Sequence, residues 1–249
     1  DPLTLAVARV VGGAILMLII GVAKGLQIPT SWCEWGLYIV LGMTGNFVYQ
    51  VVFNQGLLTI PAATSSIIMA LTPMTTALMA LVVYKDFMRP IGWLFTITAF
   101  AGVAIIILWN GPINVPMGAF WTLFGMILFA IYNIVNRGLS LKGHDPITVA
   151  TWSMFTGAIM ALPFVSQSVA TIAAAPPVAW LAIIYLACFS SALGFVFWSY
   201  ALEHAEHVSD VTNFMYLSPV VAAIVAAILI GEIPDLGLYI GAPIILCSL

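Results

Sequence analysis

Asn46, Gln50 and Asn54 fall at i, i+4 and i+8 in a stretch that is otherwise largely apolar. On a helix this spacing stacks three carboxamides along one face. Each amide carries donors and an acceptor that hydrocarbon cannot satisfy, so the row is expected to turn toward neighbouring helices or a wet cavity. Bonding between helices is the plainer use of Asn and Gln in membranes, and it stands beside a ligand-binding reading of the row. Tyr49 and Phe53 flank it. Tyr132, Asn133, Asn136, Trp198, Asn213 and Tyr216 are the further groups expected to meet it. Neutral donors and ring faces suit a neutral or zwitterionic small molecule with an apolar or aromatic part, whose ammonium can lie against a ring. Packing or interface anchoring accounts for each aromatic residue taken alone.

The ionisable residues carry information mainly through their scarcity. Arg9 is the one charge placed clearly inside an apolar run, where attracting a carboxylate is one reading and snorkelling or a structural bond near the helix start the preferred one. Glu34, Asp86, Glu203, Glu206, Asp210 and Glu232 fall at expected helix ends or loops, so a buried carboxylate proton relay is not evident. Facilitated diffusion or exchange is therefore expected over strong proton coupling. Glu203-His204-Ala205-Glu206-His207 lacks the two-histidine zinc-helix spacing and reads as a solvated connection. No acid, base and nucleophile are grouped as a catalyst needs, and no cofactor or metal is expected. Cys33, Cys188 and Cys247 are widely spaced and read as small core hydrophobes rather than a disulfide frame. The net charge of -3 argues against a nucleic-acid partner.

The elements that must position these residues follow from composition. Of 249 residues, 63% are hydrophobic and 6% charged; a soluble domain carries about a quarter charged residues. The apolar residues gather in runs of membrane-spanning length, about 20 residues as helix. Breakers between them place helices near Leu3 to Ala23, Trp35 to Leu58, Ala62 to Tyr84, Ile91 to Trp109, Met117 to Asn136, Ile147 to Val165, Val178 to Leu202 and Val208 to Ile230, with another beginning near Leu236. Pro73 and Pro219 fall inside two of them, each removing a donor to the carbonyl four residues earlier, so they read as matched hinges or as static kinks.

An internal repeat orders the helices. Asp1-Pro2-Leu3-Thr4, followed by Gly13-Ala14-Ile15, recurs as Asp145-Pro146-Ile147-Thr148, followed by Gly157-Ala158-Ile159. Trp35 answers Trp180, and Met69-Ala70-Leu71-Thr72-Pro73 answers Met215-Tyr216-Leu217-Ser218-Pro219. Five spans lie between the two Asp-Pro marks, so the second copy must enter the membrane from the opposite side. The fold class is thus an all-α polytopic bundle of ten transmembrane helices in two inverted five-helix repeats. About nine helices fall in this chain: 1–111 forms the first repeat without its first helix, and 112–249 the second with its last helix truncated. Lys24, Lys85, Arg89, Arg137 and Lys142 fall on one side, which the positive-inside rule makes cytoplasmic, along with both termini.

These residues resemble the drug/metabolite transporter superfamily, in particular its EamA-type ten-helix members. The likeness rests on Phe129-Ala130-Ile131-Tyr132-Asn133-Ile134-Val135-Asn136-Arg137, on Asp145-Pro146 opening a helix, and on paired Pro73 and Pro219 segments ending at Lys85-Asp86 and Gly231-Glu232. The resemblance implies a bacterial inner-membrane exporter of small metabolites, working by alternating access through a central cavity between the repeats. Aromatic or other neutral amino acids are the preferred cargo by analogy with the aromatic amino-acid exporters. An exporter of toxic organic cations is the alternative, with a membrane-embedded enzyme behind it. The expected partners are a small-molecule substrate and the lipid bilayer, and the expected functional state is a monomer.

Overall fold

The structure, a computed structural model, describes residues 1–60, 65, 68–87, 89–109, 117–218, 220–221, 228 and 236–248. Helix α1 (Pro2–Ala23), α2 (Trp32–Leu57), α3 (Thr72–Tyr84), α4 (Pro90–Leu108), α5 (Met117–Leu141), α6 (Pro146–Ala173), α7 (Pro177–His204), α8 (Val208–Thr212) and α9 (Leu236–Cys247) follow in order. Among the described residues α1, α2, α5, α6 and α7 are long and apolar enough to cross a membrane. The 22 residues of α1 reach about 33 Å at 1.5 Å each, enough for the hydrocarbon layer. Burial is inverted relative to a protein in water: Thr44, Asn46, Thr151, Ser153 and Ser191 are buried, while Ile19, Val22, Leu181 and Phe197 are more than half exposed. Apolar side chains outside and satisfied or packed polar groups inside is the arrangement that lipid demands. The chain is a multi-pass membrane protein.

The two Asp-Pro marks both cap helices. Asp1 caps α1 by accepting from the Leu3 N–H at 3.2 Å and the Thr4 hydroxyl at 2.8 Å. Asp145 caps α6 by accepting from the Thr148 N–H at 3.1 Å. In each case proline takes the first helical position, where its missing N–H leaves no bond unmade.

Contacts divide the chain into two units. The first holds Asp1–Gln55 and Ile131–Ala205, the second Gly56–Ala130 and Glu206–Leu249, so each draws on both halves of the sequence. In the first unit α1 packs on α6, its counterpart in the repeat. Val7 clusters with Ala161, Val10 reaches the face of Gly157, Gly13 meets Met154, and the Met17 carbonyl accepts from Thr151. Residue numbers fall along α6 as they rise along α1, so the counterparts run antiparallel. Helix α2 runs with α6: the Trp35 and Trp152 rings meet at 4.9 Å, the Thr156 hydroxyl bonds the Tyr38 carbonyl at 2.7 Å, and the Phe47 and Phe164 rings lie 5.7 Å apart. Gly42 permits this approach, since a Cβ there would stand 2.9 Å from the Ser153 carbonyl. Helix α7, the counterpart of α2, packs on α1 in exchange.

The second unit repeats the relation with α4 and α9, which also occupy equivalent places in the two halves. Ile106 reaches Gly241, while Gly102 meets Ile245 and the Gly241 carbonyl, again an antiparallel register. Ala70, Ala99, Val103, Tyr216, Val220 and Ile245 form its core cluster. Antiparallel counterparts are what an inverted duplication requires.

Two sequence readings change. Cys33 and Cys247 are exposed and Cys188 half-exposed, so these free thiols are not core residues; in lipid an apolar run need not mean burial in protein. Pro73 is not inside a continuous helix. It stands in the first turn of α3, after a turn at Ala70 and Leu71, where a proline is tolerated without kinking the helix. Pro219 lies outside the described residues, as do Glu232 and parts of the expected Ala62 to Tyr84 and Val208 to Ile230 spans.

Candidate functional site

Within α2 the helix widens to a π turn over Gly42–Asn46. Gly45 stands against the ring of Tyr132, with no room for a Cβ, which brings α5 onto this turn. Asn46 ends the turn and is fully buried, and neither amide atom has a hydrogen-bond partner. One turn on, Gln50 is 3% exposed with its Oε1 unbonded, and the Nδ2 of half-buried Asn54 is likewise without a partner. Tyr49 and Phe53 flank the row as a stacked ring pair 5.8 Å apart. Asn46 and Gln50 are thus buried in the protein and Asn54 half-buried, with four polar atoms of the row unpartnered. Buried polar atoms without partners cost on the order of 1–3 kcal/mol each, so stability alone gives no reason to keep them.

The remaining candidates of the first unit behave differently. Trp198 Nε1 donates to Asn133 Oδ1 at 2.8 Å, and Asn136 Nδ2 donates to the Tyr132 hydroxyl at 3.0 Å and to Ser199 Oγ at 2.9 Å. Tyr132 is fully buried, edge-on to Phe195 at 5.3 Å. Next along α5, Arg137 donates to the Leu202 and Glu203 carbonyls, a cation closing the C-terminus of α7. This network knits α5 to α7 and holds the wall that faces Gly45. Its members are positioned first of all as scaffold.

Asn213 and Tyr216 belong to the second unit. The Thr96 hydroxyl donates to Asn213 Oδ1 at 3.4 Å, and Asn213 lines a cavity of about 480 Å³ with Arg89, Phe95, Glu206, Asp210 and Phe214. Tyr216 is fully buried in that unit's core, its hydroxyl unbonded. At the edge of the same unit Asp86 accepts from the His207 ring and from the Val208 N–H at 3.3 Å, tying the end of α3 to the start of α8. The Asp86 hydrogen bond holds the His207 pKa above its ordinary value against the opposing pull of burial, with the charges of Asp86, Asp210 and Glu206 adding to the rise. The two histidines of the Glu203–His207 stretch part company, because His204 stacks on Tyr200 at 4.1 Å.

Sequence reasoning missed a second π stretch, Leu186–Leu193 of α7, at the place equivalent to Gly42–Asn46. Ser191 within it is fully buried with its hydroxyl unbonded. Ser190 beside it accepts from Arg9 Nη2 at 3.2 Å, and the buried Arg9 Nε has no partner. The adjacent Ser190-Ser191 pair in an apolar run was the available signal.

Comparison with known proteins places these features in a context. The sequence model of the EamA-like transporter family matches residues 1–108 and 116–249. A protein of Streptantibioticus cattleyicolor, named a probable terminal-alkyne amino-acid exporter, is 29% identical over 92% of this chain and 76% of its own length. An uncharacterized transporter of Bacillus subtilis is 27% identical over 86% of this chain and 72% of its own. An S-adenosylmethionine uptake transporter of Rickettsia felis is 25% identical over 85% and 67%. A crystal structure superposes on the whole chain and 87% of its own with a TM-score of 0.80 at 19% identity, a likeness of fold.

Proposed function

Because this chain belongs to the EamA-like transporter family, we propose that it exports small amino-acid-like metabolites across a bacterial inner membrane by alternating access. The carrying observation is Asn46, a fully buried mid-span amide with both of its polar atoms unbonded. Donors and acceptors held open at such cost serve a polar guest that replaces water. Gln50 and Asn54 extend the row, and Tyr49, Phe53, Tyr132, Asn133 and Trp198 supply rings and amides around it. Asn213 and Tyr216 belong to the second unit and are proposed as binding groups there. The proposed path draws on both sequence halves, since α1 packs against α6 and α7 and α2 packs against α6.

Neutral or zwitterionic cargo fits a lining dominated by amides and rings. An amino-acid exporter among the relatives agrees with this cargo, and the uptake transporter among them leaves direction to experiment. The absence of a buried carboxylate relay among the described spans favours exchange or facilitated diffusion. Pro73, at the break before α3, and its counterpart Pro219 are proposed as the points about which the repeats rock. The chain is proposed to work as a monomer with cytoplasmic termini, its repeats meeting near the 1–111 and 112–249 boundary. Purified protein in liposomes preloaded with phenylalanine is expected to show counterflow of labelled phenylalanine. Asn46→Ala and Gln50→Ala should each lower it about tenfold or more, in line with the loss of a buried hydrogen bond to the guest. Unchanged flux in both variants and in Trp198→Ala removes the amide row from the transport path.

A further inference from the structure

Arg9 makes the structural bond expected of it, to Ser190, and does so deep within the unit. Its neighbour Val10 and the side chain of Asn46 converge on Gly157, at 3.3 and 2.9 Å from where a Cβ would stand. Asn46 is the fifteenth residue of the 26-residue α2, and Ser190, which accepts from Arg9, is the fourteenth of the 28-residue α7. Arg9 thus lies about 20 Å from either end of its neighbours, near the middle of the unit's depth. The cause is stagger. Leu3 packs at the level of Met160 to Val165, so α6 runs about two turns past the start of α1.

A guanidinium at this depth normally finds a carboxylate. Among the described residues none pairs with Arg9. Of its five N–H groups one reaches Ser190, and Nε is buried without a partner. The same unit holds other unanswered groups: the whole Asn46 amide, Gln50 Oε1 and the Ser191 hydroxyl, on side chains at most 3% exposed. Two of these, Asn46 and Ser191, sit on the repeat-related π turns, as does the Ser190 acceptor. Single π turns inside α-helices are found frequently at functional sites.

We infer that Arg9 is the carboxylate anchor of the cargo site, its free N–H groups and the Asn46 amide binding a carboxylate that the cargo supplies in place of the missing acidic partner. The inference rests on the amino-acid reading above for the identity of the cargo, and it narrows that reading to molecules with a free carboxylate. It sets organic cations without one aside as cargo, because they leave the guanidinium unanswered even where their ring and ammonium still occupy the amide and ring lining.

The test uses the full chain in liposomes and in detergent, with 3-phenylpropionate and phenethylamine as probes that each keep one charged end of phenylalanine. Both are expected to inhibit phenylalanine counterflow by the wild type. Arg9→Gln should weaken phenylpropionate inhibition about tenfold or more and leave phenethylamine within about twofold, with Arg9→Lys restoring part of the loss. Ser190→Ala, which frees the guanidinium, should keep phenylpropionate inhibition. Equal weakening of both probes, or none, overturns the anchor while leaving amino-acid transport in place. If the wild type carries no phenylalanine, the transport reading fails and the anchor is judged by thermal unfolding. A phenylpropionate-induced rise in melting temperature present in the wild type and absent in Arg9→Gln upholds it, and no rise in either overturns it.

Discussion

Two asparagines in the first unit have opposite relations to stability. Asn136 donates to Tyr132 and Ser199, whereas Asn46 bonds nothing through its side chain. Asn136 Oδ1 is itself unbonded, but removing the amide strands the two hydroxyls its Nδ2 reaches, whereas removing Asn46 strands no side-chain partner and relieves a penalty. Asn136→Leu should therefore destabilise the detergent-solubilised protein by about 1–3 kcal/mol, while Asn46→Leu should be neutral or stabilising and yet abolish flux. Thermal unfolding followed by tryptophan fluorescence, beside counterflow, reads both; a large stability loss in Asn46→Leu contradicts the orphan geometry. The amide row was legible from spacing alone, because period 3.6 needs no tertiary information. Which amides are satisfied was not, since Asn133 and Asn46 are alike until the partner helix is placed. Arg9 was legible as a charge in a span, and the structural bond expected of it is the one to Ser190; its depth was not legible, because the stagger of α1 against α6 is a packing quantity.

At the scale of elements, the Asp-Pro marks stated where α1 and α6 begin, since capping chemistry is local. The π turns left no such mark. They come from the fit of Gly42 to Ser153 and Gly157 and of Gly45 to Tyr132, contacts between residues far apart in the chain. The clasp between α3 and α8 was equally hidden, because Asp86 and His207 read as two solvated ends. Its pH dependence has a definite sign. Folding raises the His207 pKa, so the clasp contributes fully below the unfolded value of about 6.5 and is lost as pH climbs through the raised one. The melting-temperature gap between wild type and His207→Asn should be widest near pH 6 and narrow toward pH 8.5. Asp86→Asn should narrow in the same window, and Asp210 and Glu206, which share the field, should modulate its width. A gap that widens with pH contradicts the assignment.

The whole molecule is organised by the duplication, and the sequence disclosed it through the recurrence of Asp-Pro and the odd number of spans between its copies. What the recurrence did not disclose is that the packing units cut across the halves. Counterpart helices pair antiparallel, α1 with α6 and α4 with α9, so every unit needs elements from both copies. Topology gives this arrangement a direct check. In the first unit the end of α1 meets the start of α6 where the Gln27 carbonyl accepts from Trp152 at 2.7 Å, and α2 starts at the same end, where Tyr38 meets His144 at 3.2 Å. Lys24, Cys33 and Lys142 therefore share one end of the unit, and Arg137 joins them by closing α7. By the positive-inside rule we propose that side as the cytoplasmic one. Cys33 is exposed there, so a variant with Cys188→Ala and Cys247→Ala reports the orientation through one native thiol. A membrane-impermeant maleimide should label it in everted vesicles and leave it untouched in spheroplasts. Labelling in spheroplasts alone reverses the orientation, and with it the direction in which an alternating carrier would release its cargo.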